Sequence, residues 1–188
     1  MKRLGLAVAL LAPPVVEPAH PQPSAAETAI IRGASASEVL QAWCADHGLP
    51  KLVAERTPLN RPADLVVRGA LAARPGQAVR HRHVQLVCGG HTLSEADNWY
   101  LPDRLTRTMN ETLDATDTPF GIVVRPLGFT RRTVAVKRLS NAGHSLEIRA
   151  ILVASGGAPF SYVVENYSSE LTANSGPRTP ARASPGWP

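Results

Sequence analysis

Lysine is scarce in this sequence: of its 20 basic residues 17 are arginine and 3 are lysine. The arginines are scattered among abundant alanine and proline, and aromatic residues make up only 5% of the chain. Nucleic-acid binding asks for cations clustered on one face and interleaved with stacking aromatics, so the net charge of +5 does not point to a nucleic-acid partner. Two cysteines in 188 residues exclude a disulfide-dense mini-protein. Cys44 and Cys88 fit neither a CxxC redox motif nor a zinc knuckle. They pair if the chain is exported and are buried free thiols if it is cytoplasmic. The sequence has no apolar run near the roughly 20 residues that span a bilayer, so no stable membrane insertion is expected. GxGxxG, P-loop, GxSxG and HExxH patterns are all missing, which removes the common dinucleotide, phosphate, serine-hydrolase and zincin readings.

At the N-terminus, Lys2 and Arg3 precede an apolar run from Leu4 to Ala12, and a small-residue site follows at Ser24-Ala25-Ala26. This is the pattern of a secretory signal peptide over residues 1–26. Pro13-Pro14 interrupts the run, and a misassigned start on a cytoplasmic protein is the alternative. Localisation is therefore periplasmic or secreted if the leader is real, and otherwise cytoplasmic. Residues 173–188, rich in Pro, Gly, Ala and Ser without periodicity, read as a disordered tail. Residues 27–172 remain, enough for one domain burying about 70% of its unfolded-chain surface.

Within that domain, Ser35-Ala36-Ser37-Glu38 reads as a capping box. The helix behind it carries Val39, Leu40, Trp43, Cys44 and His47 on one stripe and stops at Gly48-Leu49-Pro50. Short strands are expected near 52–55 and 65–68. Residues 79–88 alternate as a strand, with Arg80, Arg82, Val84, Leu86 and Cys88 on one face and His81 and His83 on the other. Gly89-Gly90 turns it into a second strand from Thr92 to Leu101. Pro102-Asp103 opens a helix through Leu105, Met109 and Leu113 that ends near Thr116. Strand-like runs follow near 122–127, 131–139, 146–154 and 160–167, the last pair joined at Gly156-Gly157. The expected class is α+β, an antiparallel sheet covered on one face by helices.

Arg80 and Arg82 continue an apolar strand face, where a guanidinium needs an anion, a water-filled cavity or a route to the surface. Its planar donor fork matches a carboxylate. His81-x-His83 lacks the carboxylate expected a few residues downstream in a metal site, and His91 and His144 complete one only by folding that the spacing does not specify, so no metal is expected and a solvated strand face is the reading. Glu165, within the strand-forming run Tyr162 to Tyr167, is either exposed or in the same pocket as the arginines.

The stretch from about Arg80 to Tyr167 resembles chorismate lyase, which forms 4-hydroxybenzoate and pyruvate from chorismate. The resemblance rests on four signals in order: RHVQLVCGG with ADNWYLP after it, Thr118-Pro119-Phe120-Gly121, Val164-Glu165, and upstream Leu40-x-x-Trp43. It implies a six-stranded antiparallel sheet with helices packed against it, enclosing a small-ligand cavity, and a monomer needing no cofactor. Residue by residue, it implies that Arg82 holds the substrate carboxylate with Arg80 as fallback, that Phe120 and Gly121 line the pocket, and that Glu165 holds the ring hydroxyl. The segment Asp97 to Tyr100 is more polar and aromatic than that family's counterpart. The fold also resembles effector-binding domains of bacterial transcription regulators. Two functions are thus expected to compete: a cofactor-independent lyase, and an exported protein that binds an aromatic or cyclic carboxylate unchanged.

Overall fold

The computed structural model describes residues 23–141 and 143–172. The expected leader up to residue 22 and the expected tail from 173 onward lie outside the described residues. Ser24, at the small-residue site, caps the first helix, α1 (Ala25–Ile31): its Oγ accepts from the Glu27 amide and donates to the Leu171 carbonyl. The boundary drawn between residues 26 and 27 therefore falls inside α1.

Six strands form one antiparallel sheet: β1 (Val53–Arg56), β2 (Arg80–Cys88), β3 (His91–Tyr100), β4 (Thr130–Asn141), β5 (His144–Val153) and β6 (Pro159–Ser168). Their spatial order is β1-β2-β3-β6-β5-β4. The Gly-Gly turns join β2 to β3 and β5 to β6 as expected, and the alternation along β2 holds, with Arg82 opposite Asn98 and Val84 opposite Ala96.

One face of the sheet carries most of the helices. Ile30 of α1 and Leu40 and Cys44 of α2 (Ala36–Asp46) pack on Val84, Leu86 and Ile148. Next to them, Met109 and Leu113 of α4 (Arg107–Ala115) and Phe120 and Val124 of α5 (Phe120–Val124) pack on Tyr100, Leu152 and Phe160. The other face is not bare, contrary to the one-sided expectation: Val67 and Leu71, in and just after α3 (Leu65–Ala70), lie on Trp99, Ile151 and Tyr162. A short α6 (Ser169–Thr172) closes the described chain.

Three local expectations need correction. Residues 65–68 are helical, because Asp64 caps the segment by accepting from the Val67 amide at 2.8 Å and only Val67 of the Leu-Val-Val run needs burial. Residues 122–127 are α5 followed by a 3-10 turn, not a strand. The helix expected from Pro102 is divided: a 3-10 turn over Pro102–Arg104 ends at Leu105 in extended backbone, and Thr106 starts α4 with its own side-chain cap. At α2 the start is where the sequence puts it, but the Ser35 side chain makes no cap bond and its buried Oγ has no partner. Cys44 and Cys88 form a disulfide, tying the end of α2 to the end of β2.

Candidate functional site

Glu165 sits mid-strand on β6, opposite Ala96 of β3 and Ile148 of β5, with Val163 and Tyr167 on the same helix-covered face. Across β5, the Arg131 guanidinium reaches over and donates Nη2 to Glu165 Oε2; the two side chains are 2% and 9% exposed. Tyr167 donates its hydroxyl to the same oxygen at 2.8 Å, and Arg131 Nη1 donates to the Ile30 carbonyl at 2.9 Å. Burial works to lower the Arg131 pKa, but the Glu165 and Tyr167 oxygens outweigh it and the net direction is upward. Burial, and then the Glu165 charge, push the Tyr167 phenol well above its ordinary value, so it stays a donor.

Beside this network is a cavity of about 30 Å³, lined among others by Ser35, Asn98, Phe120, Gly121, Arg131 and Glu165. That is space for a water molecule, not for a ring. Ser35 Oγ and Arg131 Nε have no partner there among the described residues. The first turn of α5 is pressed against α2: a Cβ on Gly121 would come within 2.8 Å of Ser37 Oγ. Three of the residues singled out from the sequence, Phe120, Gly121 and Glu165, thus meet around one cavity.

Arg82 shares their sheet face but lines a different space. It is 7% exposed, and its Nη2 reaches the carbonyls of Thr116 and Thr118 only at 3.4 Å each. Its Nε and Nη1 are buried and lack any acceptor among the described residues. Burial first, and then the neighbouring Arg56 cation, lower its pKa. The cleft it lines measures about 450 Å³ and is walled by Arg56, Asn60, Arg80, Tyr100, Leu113 and Asp114, among others. Arg80 is half exposed and already engaged, with Nη1 at 2.9 and 3.2 Å from the two Asp114 oxygens. The Tyr100 hydroxyl and then Asp114 raise its pKa.

The histidine face of β2 is a correction. The side chains of His81 and His83 are buried, because the chain around Arg61 folds over them. Asp97 Oδ1 lies 2.9 Å from His81 Nε2 and 2.8 Å from His83 Nδ1, while His83 Nε2 meets Glu95 at 2.9 Å. His81 Nδ1 accepts from the Arg61 amide, so its proton is on Nε2. The carboxylates that meet these ring nitrogens come from the next strand, 12 to 16 residues downstream. Arg131 is the residue that sequence reasoning missed; the only signal was alternation along 131–139, which did not distinguish it from the neighbouring Arg132.

Solved structures share this fold. The effector domain of PhnF from Mycobacterium smegmatis superposes with a TM-score of 0.53 at 16% identity, covering 76% of this chain and 93% of that one. YydK of Bacillus subtilis, a possible transcriptional regulator, gives 0.49 at 17% identity over 66% of this chain, which spans only 60% of that regulator's length. The fold is α+β with a six-stranded antiparallel sheet, of the chorismate lyase-like class, as in the PhnF effector domain. No family model matches the sequence. The uncharacterized protein y4mC of Sinorhizobium fredii (strain NBRC 101917 / NGR234) is 37% identical over 169 aligned residues, with 76% of this chain and 71% of the relative covered. The chain belongs to the family of y4mC.

Proposed function

We propose that this domain binds a small carboxylate ligand in the cleft at Arg82. The observation that carries the reading is a guanidinium nine-tenths buried at the wall of a cleft, with Nη2 held only by two long carbonyl contacts and with Nε and Nη1 buried behind it and unpartnered among the described residues. Such a charge costs several kcal/mol unless an anion meets it, and a carboxylate is the group its donor fork fits. Arg56 and Arg80 are already paired with Asp117 and Asp114, which leaves one positive charge for the ligand to neutralise. The effector-domain fold of the structural relatives agrees with capture of a small molecule.

A lyase acting on chorismate is the second reading, favoured by the gathering of Phe120, Gly121 and Glu165 around one cavity. It requires that cavity to widen well beyond the size of a water and Glu165 to leave Arg131 and Tyr167. Calorimetry with 4-hydroxybenzoate, together with chromatography of a chorismate incubation, separates the two. Saturable binding that is lost in Arg82→Ala, without pyruvate release, establishes the binding domain. Pyruvate and 4-hydroxybenzoate formed at a rate that collapses in Glu165→Gln establishes the lyase.

The Cys44–Cys88 disulfide supports work in an oxidising compartment outside the cytoplasm. N-terminal sequencing of protein recovered from the cell exterior tests that, and light scattering tests the expectation of a monomer.

A further inference from the structure

The same cleft has a property that a free small acid does not use: it opens along a strand edge. β1 pairs with β2 only from Val84 to Val87, because β1 ends at Arg56. From Arg80 to His83, β3 is the only strand beside β2 among the described residues. One more bond continues the β1 side, from the Thr57 amide to the His83 carbonyl at 3.3 Å. In an antiparallel ladder the N–H and C=O of one residue point the same way, and alternate residues share a side. The His81 backbone groups therefore face the side where β1 has stopped. The residues that flank this open edge, Thr57, Asn60, Arg80, His81, Arg82 and His83, are cleft-lining residues.

We infer that the cleft receives the C-terminal end of an extended peptide, which adds as a short strand beside Arg80–Arg82 and places its terminal carboxylate on Arg82. The inference rests on the reading of Arg82 as a carboxylate receptor and specifies its ligand class. Peptide backbone satisfies the open edge as a ring acid cannot, and strand addition and carboxylate capture are recurrent modes of peptide recognition. The charge matches a monoanion, since Arg56 and Arg80 have carboxylate partners of their own and Arg82 has none among the described residues. The cleft's 450 Å³ lies within the usual range of about 300–1,000 Å³ for ligand sites, and the open stretch Arg80–Arg82, with Thr57 already on the His83 carbonyl, is about 10 Å long, which suits the last two peptide residues. Leu59, Val79 and Leu113 offer an apolar wall to one side chain.

The test uses the full chain and four probes: a fluorescent, N-blocked alanine–valine tetrapeptide with a free C-terminal carboxylate, its C-terminal amide, the same acid N-methylated at its penultimate amide, and 4-hydroxybenzoate as the small acid. The expected result is saturable binding of the peptide acid, weakened at least tenfold by amidation, at least tenfold by N-methylation, and lost in Arg82→Ala. Amidation and methylation alter only the ligand, so those comparisons stand even if the Arg82 variant folds poorly. If 4-hydroxybenzoate binds through Arg82 and the peptide acid does not, strand addition is overturned while the carboxylate site survives. If neither acid binds, both fall. If the peptide acid binds but tolerates N-methylation, the edge plays no part and the inference is overturned.

Discussion

Arg131 and Glu165 meet face to face although they stand on strands that do not touch: β5 runs between β4 and β6, and the pair bridges over it on the helix-covered side. Removing one partner leaves the other charge buried. Arg131→Met or Glu165→Gln is expected to cost about 3–5 kcal/mol, and replacing both with apolar residues of similar size is expected to recover most of that. Urea unfolding of the two single variants and the double variant checks it.

At Arg82 the expected sign is opposite. The apo protein holds a cation whose pKa is lowered by burial and by Arg56, so its charged form is disfavoured by folding. Arg82→Leu should therefore stabilise the ligand-free domain, by about 1 kcal/mol or about 3 °C in Tm, while abolishing carboxylate binding. A thermal melt beside a binding titration reads both effects in one preparation.

Tyr167 gives the fold an alkaline limit. Its pKa is raised in the folded state, so an unfolded chain releases this proton near pH 10 while the folded one retains it. Its contribution is complete below pH 10 and is lost as the pH climbs toward the higher folded value. Tyr100, raised chiefly by burial, adds to the same slope. Unfolding free energy measured between pH 8 and 11 should fall above about 10. Tyr167→Phe should flatten part of that fall, at a cost of about 1 kcal/mol at neutral pH for the lost hydrogen bond to Glu165.

The disulfide predicts that native protein shows no free thiol by reagent titration, and that reduction or Cys44→Ser with Cys88→Ser lowers stability by about 2–4 kcal/mol.

Much of the sheet was legible because Gly-Gly turns and period-two alternation are local signals. The Arg82 face, the Glu165 strand and the α2 stripe all came from spacing within one element. The failures share a cause. Residues 65–68 and 122–127 are short apolar runs, which carry no period long enough to separate strand from helix; what decided them was the Asp64 cap in one case and packing of Phe120 and Val124 on the sheet in the other. The histidine face was misjudged because the groups that cover it, Arg61 and Asp97, lie 20 and 16 residues from His81. Arg131 was missed for the same reason, since its carboxylate partner is 34 residues away.

The bond between Cys44 and Cys88 also closes a ring of chain that contains β1, α3 and all of β2. Arg56, Thr57, Asn60 and Val79 through His83 belong to that ring, so most of the cleft wall is covalently looped. A protease that cuts in the turn about Gly76 would open the loop without releasing either half. The nicked protein would run as one species until reduced and then separate into two, and its cleft residues would remain on a single connected molecule.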